Sequence, residues 1–238
     1  MKKNRKKLIV ILVVLLIVAL FALWFAGIPY IKRHYITKTV DRAAAIQGET
    51  VETDARVLTV YFTRVGNSDF EPDVDAVSGA SLMTDNGELI GNSQLLAEMI
   101  QNAASGDLYA IRTEKHYPST YSGTISAARK EMNAGERVAL LGELPDLTDY
   151  DALFVVYPVW WMTTPLPINS FFEQVTIPEN LKIYPVPTHG GSGVSSSVKD
   201  LRALVGPAVQ DAPADFFDDD VTESRPAIVK MLRACIGK

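Results

Sequence analysis

Small polar residues, paired tryptophans and a glycine-rich stretch each follow a predicted strand. A glycine-asparagine-serine triplet occurs twice near the first strand, at 66–68 and at 91–93. Hydroxyl and amide side chains, together with free backbone N–H groups at a helix N-terminus, favour binding of a phosphate. Adjacent tryptophans offer planar faces to an aromatic ring, and glycines let backbone amides approach a ring edge closely. These loops therefore predict a site for a flat, phosphorylated ligand.

The elements that must position these loops alternate between strands and helices. Strands are predicted at 56–62, 107–112, 152–158 and 181–186, with a fifth, short strand within 207–217. Helices are predicted at 92–104, 120–135, 167–175, 195–206 and 226–237. This alternation predicts an α/β fold, an open doubly wound parallel five-stranded sheet in one domain of residues 56–238. Ligands of such sheets bind outside the carboxyl ends of the strands, which is where the three loops lie.

The N-terminal region has the composition of a membrane anchor. Residues 1–7 contain five basic side chains and no acid, and residues 8–28 contain no charged or strongly polar side chain. A helix of that length spans about 31 Å, enough to cross the hydrocarbon core of a bilayer. The basic flank predicts a single-pass protein of the cell membrane, with its N-terminus inside the cell and the following domain extracytoplasmic. A cleaved signal peptide is the alternative, but the apolar run is long for one and lacks a good small-residue cleavage site.

The charge distribution separates this region from the rest of the chain. Seven of the 23 Lys and Arg residues lie in the first 36 positions, which leaves 16 basic against 28 acidic side chains and a formal charge of −12 for residues 37–238. An acidic domain is a poor nucleic-acid binder and suits a position near a membrane or a basic partner. Residues 29–55 are polar and mixed, and they are interpreted as a juxtamembrane linker. The single cysteine, Cys235, excludes an internal disulfide.

Three segments resemble the flavodoxin-like family. "VLTVYFTRVGNS" resembles its first strand and phosphate loop, and "DLTDYDALFVVYPVWWMTTPLPINSFFE" resembles its third strand and flavin-stacking loop. "THGGSGVSSSVKDL" is similar to the next loop and helix. The resemblance covers about residues 56–206 and is closest to a bacterial subgroup with an insertion after the first strand. The stretch 115–123 also resembles the family, and we interpret it as a turn that seats the second helix.

The resemblance implies that FMN is the cofactor. In the compact family pattern the phosphate loop runs directly into the first helix, whereas residues 69–90 interrupt it here. We therefore expect 91–93 to open the helix and 66–68 to begin the insertion. The implied FMN-binding residues are Thr63, Arg64, Gly91, Asn92, Ser93, Pro158, Val159, Trp160, Trp161, Met162, Thr188, His189, Gly190, Gly191 and Ser192.

Different parts of the cofactor are assigned to different residues of this set. Thr63 and Arg64 would supply a hydroxyl and a cation to the phosphate, opposite the helix start. At least one of Trp160 and Trp161 is expected to stack on the isoalloxazine ring, and core packing is the alternative for either. The loop 190–192 would donate backbone N–H groups to the ring edge.

His189 and the insertion have simpler interpretations. For His189, an imidazole that caps backbone groups is favoured over a proton relay near the flavin. The insertion, 69–90, contains six acids and no base, and it is interpreted as a solvated loop that covers the edge of the cofactor. Asp73, Asp75 and Asp85 do not fit the spacing of an EF-hand, so no metal site is predicted.

These expectations converge on a membrane-tethered, FMN-binding redox protein that passes electrons to or from a partner protein or a small-molecule acceptor. Its acidic surround would give the flavin a low reduction potential. One alternative is an FMN-dependent NAD(P)H:quinone-type oxidoreductase on the same fold. Another is an interaction module that has lost the flavin.

Overall fold

The chain begins with a long apolar helix. In the computed structural model, which describes residues 2–71 and 74–238, α1 (Lys2–Ala22) continues through a π-helical turn (Leu23–Gly27) into α2 (Ile28–Tyr35). None of the stretch Ile9–Gly27 is buried within the described chain. By length and composition it could cross a membrane, and an N-terminal signal sequence has the same properties.

Five parallel strands form the main sheet, as the sequence predicts. The strands of the chain are β1 (Val57–Tyr61), β2 (Leu82–Asp85), β3 (Glu88–Gly91), β4 (Asp107–Ala110), β5 (Ala152–Pro158), β6 (Lys182–His189) and β7 (Phe216–Phe217). The main sheet has the order β4-β1-β5-β6-β7, while β2 and β3 form a separate antiparallel hairpin. The short β7 lies within the predicted 207–217 segment. The strand order reverses at β1: β4 is added on one side of it, and β5, β6 and β7 follow on the other. The ligand crevice is therefore expected beside β1.

Helices cover both faces of this sheet. After α2 the helices are α3 (Arg42–Ile46), α4 (Asn92–Ala104), α5 (Tyr121–Ala134), α6 (Leu166–Phe172), α7 (Ser197–Val205) and α8 (Arg225–Ile236). Residues of α3, α4 and α8 belong to the core on one face, and residues of α5, α6 and α7 belong to the core on the other. All seven residues of β5 are buried between the two layers, which explains its unbroken apolar sequence.

The second part of the insertion, from residue 82, is a hairpin rather than the solvated loop that its acidic composition predicts. Leu82 and Met83 are fully buried, and β3 leads directly into α4. Asn86 and Gly87 both have positive φ, 47° and 88°, as the tight turn of a two-residue hairpin requires. Burial of the apolar side chains on the two strands therefore determines the local structure, despite the acids around them. Asp73 lies outside the described residues.

The segment after the apolar helix packs along the domain instead of only linking it. We call residues 28–40 the juxtamembrane arm. Within it, the Lys38 carbonyl accepts a hydrogen bond from the Thr84 N–H at 2.8 Å, and the Val40 N–H donates to the Thr84 carbonyl at 2.9 Å. Further on, the Val51 N–H donates to the Ala103 carbonyl at the end of α4. The arm thus continues the insertion hairpin with a third extended segment.

Asn67, in the first glycine-asparagine-serine triplet, is a structural cross-link. Its amide donates to the carbonyls of Thr63 and Ile111 at 2.8 and 3.0 Å. Its carbonyl oxygen accepts from the Thr113 N–H and hydroxyl at 2.8 and 3.2 Å. Three of these four bonds tie the loop after β1 to the end of β4, the fourth lies within that loop, and the side chain is fully buried. The triplet at 66–68 therefore holds the sheet edge together at the start of the insertion.

We expect Asn67→Ala to lower the free energy of unfolding by about 3 kcal/mol, because it leaves several buried backbone groups without partners. Urea unfolding of the two proteins measures the difference. Asn133→Ala, at an exposed position of α5, is the matched control and should change stability little. A loss below about 1 kcal/mol for Asn67→Ala would contradict the cross-link.

The stretch 115–123 seats α5, as the sequence predicts. The Tyr117 hydroxyl donates to Glu131 Oε2 at 2.9 Å, and both side chains are buried. The Thr124 hydroxyl donates to the Pro118 carbonyl at 2.9 Å, while the Thr120 hydroxyl accepts from an N–H of the first turn. Burial raises the pKa of Glu131 above its ordinary 4.5, although the bond from Tyr117 opposes that shift.

This raised pKa predicts a pH-dependent stability. A carboxyl whose pKa is higher in the folded state stabilises the fold below pH 4.5, and the contribution is lost as the pH rises through the folded value. Glu131→Gln keeps an acceptor for Tyr117 and does not titrate. We therefore expect the unfolding free energy of the wild type, relative to this variant, to fall as the pH is raised from 4.5. Thermal unfolding across pH measures it, with exposed Glu143→Gln as the control. A constant difference between the two proteins would refute the prediction.

Candidate functional site

Three buried hydroxyls converge at the start of α4. Thr63, Ser93 and Thr188 are each no more than 2% exposed, and Ser93 Oγ lies 3.5 Å from Thr188 Oγ1. A side chain at Gly91 would overlap Thr63 Oγ1, so the chain passes closely here only because position 91 is glycine. The first N–H groups of a helix have no partner within the helix and carry a partial positive charge. The triplet at 91–93 thus opens the helix as predicted, and its hydroxyl and helix-start chemistry suits a phosphate. Two of the N–H groups here are already engaged: that of Asn92 by the Ser81 carbonyl and that of Gly91 by Gln94 Oε1.

Arg64 is directed away from the role that the sequence predicts for it. Its side chain is 2% exposed, and its guanidinium donates to the carbonyls of Ala80 and Ser119. It also lies 3.7 Å from Asp75 and 5.3 Å from the centre of the Phe70 ring. Burial lowers the pKa of Arg64, which Asp75 opposes. The expectation that Arg64 is the phosphate cation is corrected, because its donors secure the insertion to the loop before α5.

A cavity of about 240 Å³ lies beside the helix start. Its walls come from Arg64, residues 80–81, the first half of α5 and residues 159–161. The Ser81 carbonyl accepts a hydrogen bond from the Asn92 N–H at 3.0 Å, which joins this cavity to the start of α4. The volume is small for a complete cofactor-sized ligand and suits one flat portion of it.

The two tryptophans have different surroundings. Trp160 is half-buried and meets the rings of Phe62 and Tyr117 edge to face, with centres 5.3 and 5.2 Å away. Trp161 is 43% exposed, although its indole N–H donates to the Ile125 carbonyl at 3.0 Å. The Arg129 guanidinium lies over the Trp161 ring, 4.5 Å from its centre. Trp160 is therefore a core residue as well as a wall of the cavity, whereas the Trp161 ring can meet a ligand.

The backbone of the tryptophan loop is strained. Trp161 and Met162 have φ values of 51° and 70°, a conformation that non-glycine residues rarely adopt. The Met162 carbonyl is held by the N–H and the hydroxyl of Ser196, at 2.9 and 2.8 Å. Strain of this kind is kept at binding and catalytic loops, where it presents side chains in a fixed direction.

The loops after β5 and β6 are directly connected. Pro158 is paired with Thr188 in the sheet, and the Val159 N–H donates to the Thr188 carbonyl at 2.8 Å. His189 Nδ1 accepts from the Gly191 N–H at 3.1 Å, so Nε2 carries the hydrogen and donates to Asp215 at 2.8 Å. His189 thus caps the backbone, as the simpler interpretation predicts.

Among the expected N–H donors of this loop, Gly191 is therefore engaged by His189. Gly190 and Ser192 lie on either side of it in exposed backbone. The Ser192 carbonyl accepts a hydrogen bond from the Ser195 hydroxyl at 2.9 Å, which closes the loop on itself.

The sequence did not indicate the wall that α5 contributes. Tyr121, Ile125 and Ala128 line the cavity, and Arg129 covers Trp161. These residues look like an ordinary helix surface in the sequence, because only the packing of α5 against the tryptophan loop brings them to the site. The hydroxyls and helix start fit a phosphate, and the cavity beside the tryptophans fits a flat ring, so the residues present fit FMN.

Comparisons with known proteins agree with this fold. The family model described as flavodoxin matches residues 88–232. A candidate flavoprotein from Bacteroides eggerthii is 22% identical over 76% of this chain and 98% of its own, with a TM-score of 0.56. Another from Bacteroides uniformis is 21% identical over 71% and 96%, with a TM-score of 0.51. A flavoprotein from Lactobacillus acidophilus in complex with FMN is 14% identical over 72% and 99%, with a TM-score of 0.48. Curated protein sequences give no match.

The family model spans more than half of the chain, from the second strand of the insertion hairpin to the last helix. FMN is the cofactor of flavodoxins, so the match agrees with the cofactor that the sequence predicts. The chain belongs to the flavodoxin family.

Proposed function

We propose that the protein is a membrane-tethered FMN-binding redox protein that exchanges electrons with a partner. The observation that carries this proposal is the junction between the start of α4 and the cavity, joined by the bond from the Asn92 N–H to Ser81. That junction would place a phosphate site and an aromatic-lined ring site next to one another. FMN, when bound, supplies one- and two-electron redox chemistry.

The phosphate end of the site would be held by the helix start. Thr63, Ser93 and Thr188 place three hydroxyls there, and the close passage at Gly91 keeps the helix N-terminus near them. Hydrogen bonds to a charged phosphate are stronger than those between neutral groups. These groups would bind and orient the phosphate of the ligand.

The ring end would be held by the two connected loops. Trp161 offers an exposed ring whose indole N–H is fixed by α5, and the strained backbone at Met162 keeps it in place. Gly190 and Ser192 would present backbone N–H groups on the opposite loop, while the ring of Trp160 and its neighbours exclude water from the inner side.

Tethering is supported by the continuity of the N-terminal helices. The apolar stretch ends at Gly27, and α2 then contacts the domain. Arg33 follows Gly27 by six residues, which corresponds to about 9 Å along a helix. The basic flank at 1–7 supports an inside N-terminus and a domain on the outer side of the cell membrane. A partner would then meet the cofactor edge close to the bilayer surface.

An FMN-dependent NAD(P)H:quinone-type oxidoreductase is the second candidate. Trp161 and Tyr121, which line the cavity, are 43% and 42% exposed, so a flat acceptor could approach the ring site from solvent. Steady-state oxidation of NAD(P)H with added quinone would distinguish this activity from simple electron carriage.

The first experiment is to purify the full chain in detergent, record its visible spectrum and identify the released cofactor by mass spectrometry. We expect one FMN per chain. A colourless protein that takes up no added FMN would overturn the proposal and favour a flavin-free interaction module.

Ser93→Ala should lower the affinity for FMN about tenfold, because it removes one hydroxyl from the proposed phosphate site. Quenching of flavin fluorescence measures the dissociation constant. Thr176→Ala, at an exposed position in the connection that leads into the amino end of β6, removes a hydroxyl outside the site and should leave the constant unchanged. Equal affinities for the two variants would place the phosphate elsewhere.

The tryptophans should separate into a structural and a binding residue. Trp160→Ala should lower the unfolding free energy by about 3 kcal/mol through its lost ring contacts. Trp161→Ala should change stability little but weaken FMN binding, and Trp161→Phe should restore most of the affinity. Urea unfolding and flavin titration of all three variants measure both effects. Unchanged FMN affinity in Trp161→Ala would show that this ring does not stack.

A further inference from the structure

The juxtamembrane arm reaches the loop after β6. Arg33 Nη2 and Nε both donate to Asp218 Oδ2, at 2.7 and 3.0 Å, and the guanidinium carbon lies 5.0 Å from the centre of the Phe217 ring. A side chain at Gly190 would overlap Arg33 Nη2. Arg33 therefore occupies the space beside Gly190 that a larger residue would fill.

The same arm also reaches the insertion. An added Cβ at Gly79 would lie 3.0 Å from His34 Nδ1 and 3.1 Å from the Arg33 carbonyl. Ser81, two residues later, lines the cavity and accepts the hydrogen bond from the helix start. The arm thus contacts the two segments that flank the proposed FMN site from outside.

The contact with Asp218 is also electrostatic. Asp218 is 4% exposed, and burial raises its pKa while Arg33 opposes the shift. Lys38 Nζ donates to the carbonyls of Asp218 and Asp219, so the arm brings two cations to the acidic segment 218–220. An isolated buried carboxylate is costly, and Arg33 offsets that cost next to Gly190.

We propose that the juxtamembrane arm forms the outer wall of the cofactor site, and that Arg33 is the positioning residue that holds the 188–193 loop in its binding conformation. Membrane anchoring and cofactor binding are then coupled, because the segment that leaves the bilayer also shapes the site. This inference rests on the proposed FMN site. The arm also places the Arg33 cation beside the 188–193 loop, whose surroundings the sequence predicts to be acidic.

The first test measures FMN affinity of the full chain in detergent by fluorescence titration. Arg33→Gln should weaken binding about tenfold, whereas Lys32→Gln, an equal charge change at the exposed neighbouring position, should have no effect. Arg33→Lys keeps the charge opposite Asp218 and should recover part of the lost affinity. Equal dissociation constants for Arg33→Gln, Lys32→Gln and the wild type would overturn the inference and leave the proposed function intact.

The second test uses the close approach at Gly190. Gly190→Ala should displace Arg33 and weaken FMN binding. In a protein that already carries Arg33→Ala, the same substitution should cause no further loss of FMN affinity. If the losses of FMN affinity caused by the two substitutions add in the double variant, Arg33 does not act through this loop and the inference is wrong.

A third measurement does not depend on the cofactor. Hydrogen exchange of the apoprotein should be faster in residues 188–193 of Arg33→Gln than in the wild type or in Lys32→Gln. If exchange there is unchanged, the arm does not hold the loop. If the loop loosens but none of the proteins binds FMN, the coupling of the arm to this loop stands and the proposed function fails.

Discussion

β5 lies at the centre of the sheet with every side chain buried, and this requirement to cover both faces organises the rest of the fold. A parallel strand of this kind needs helices on each side, and its crossover connections keep neighbouring strands parallel. All carboxyl ends consequently meet at one edge. The hydroxyls after β1, the tryptophans after β5 and the glycines after β6 are neighbours for this reason.

The insertion changes how that edge is built. In place of a compact loop, the chain leaves β1, forms a hairpin and returns to start α4. Asn67 secures the point of departure through four buried hydrogen bonds, and Arg64 secures the insertion by donating to Ala80 and Ser119. Two residues that look suited to binding a phosphate are therefore used to hold the interrupted loop together.

The acidic composition of the domain gives an incomplete picture of the site. Asp218 lies within the fold next to Gly190, but a guanidinium from the N-terminal arm faces it. Low permittivity makes such a buried pair depend strongly on both partners. The electrostatic environment of Gly190 is thus set partly by residues outside the domain that carries the family's motifs.

The sequence alone determined the parallel sheet and the helix opening at 91–93, and it indicated the loops of the proposed site. These depend on local periodicity and on strand and helix alternation, which neighbouring residues encode. It also contained the Asn86-Gly87 turn, a local hairpin signal that the acidic composition obscured. Only the tertiary structure decided that Arg64 is a structural donor, that α5 lines the cavity and that Arg33 meets Asp218, 185 positions away. Burial and pairing between distant segments are properties of the packed chain, so no local pattern records them.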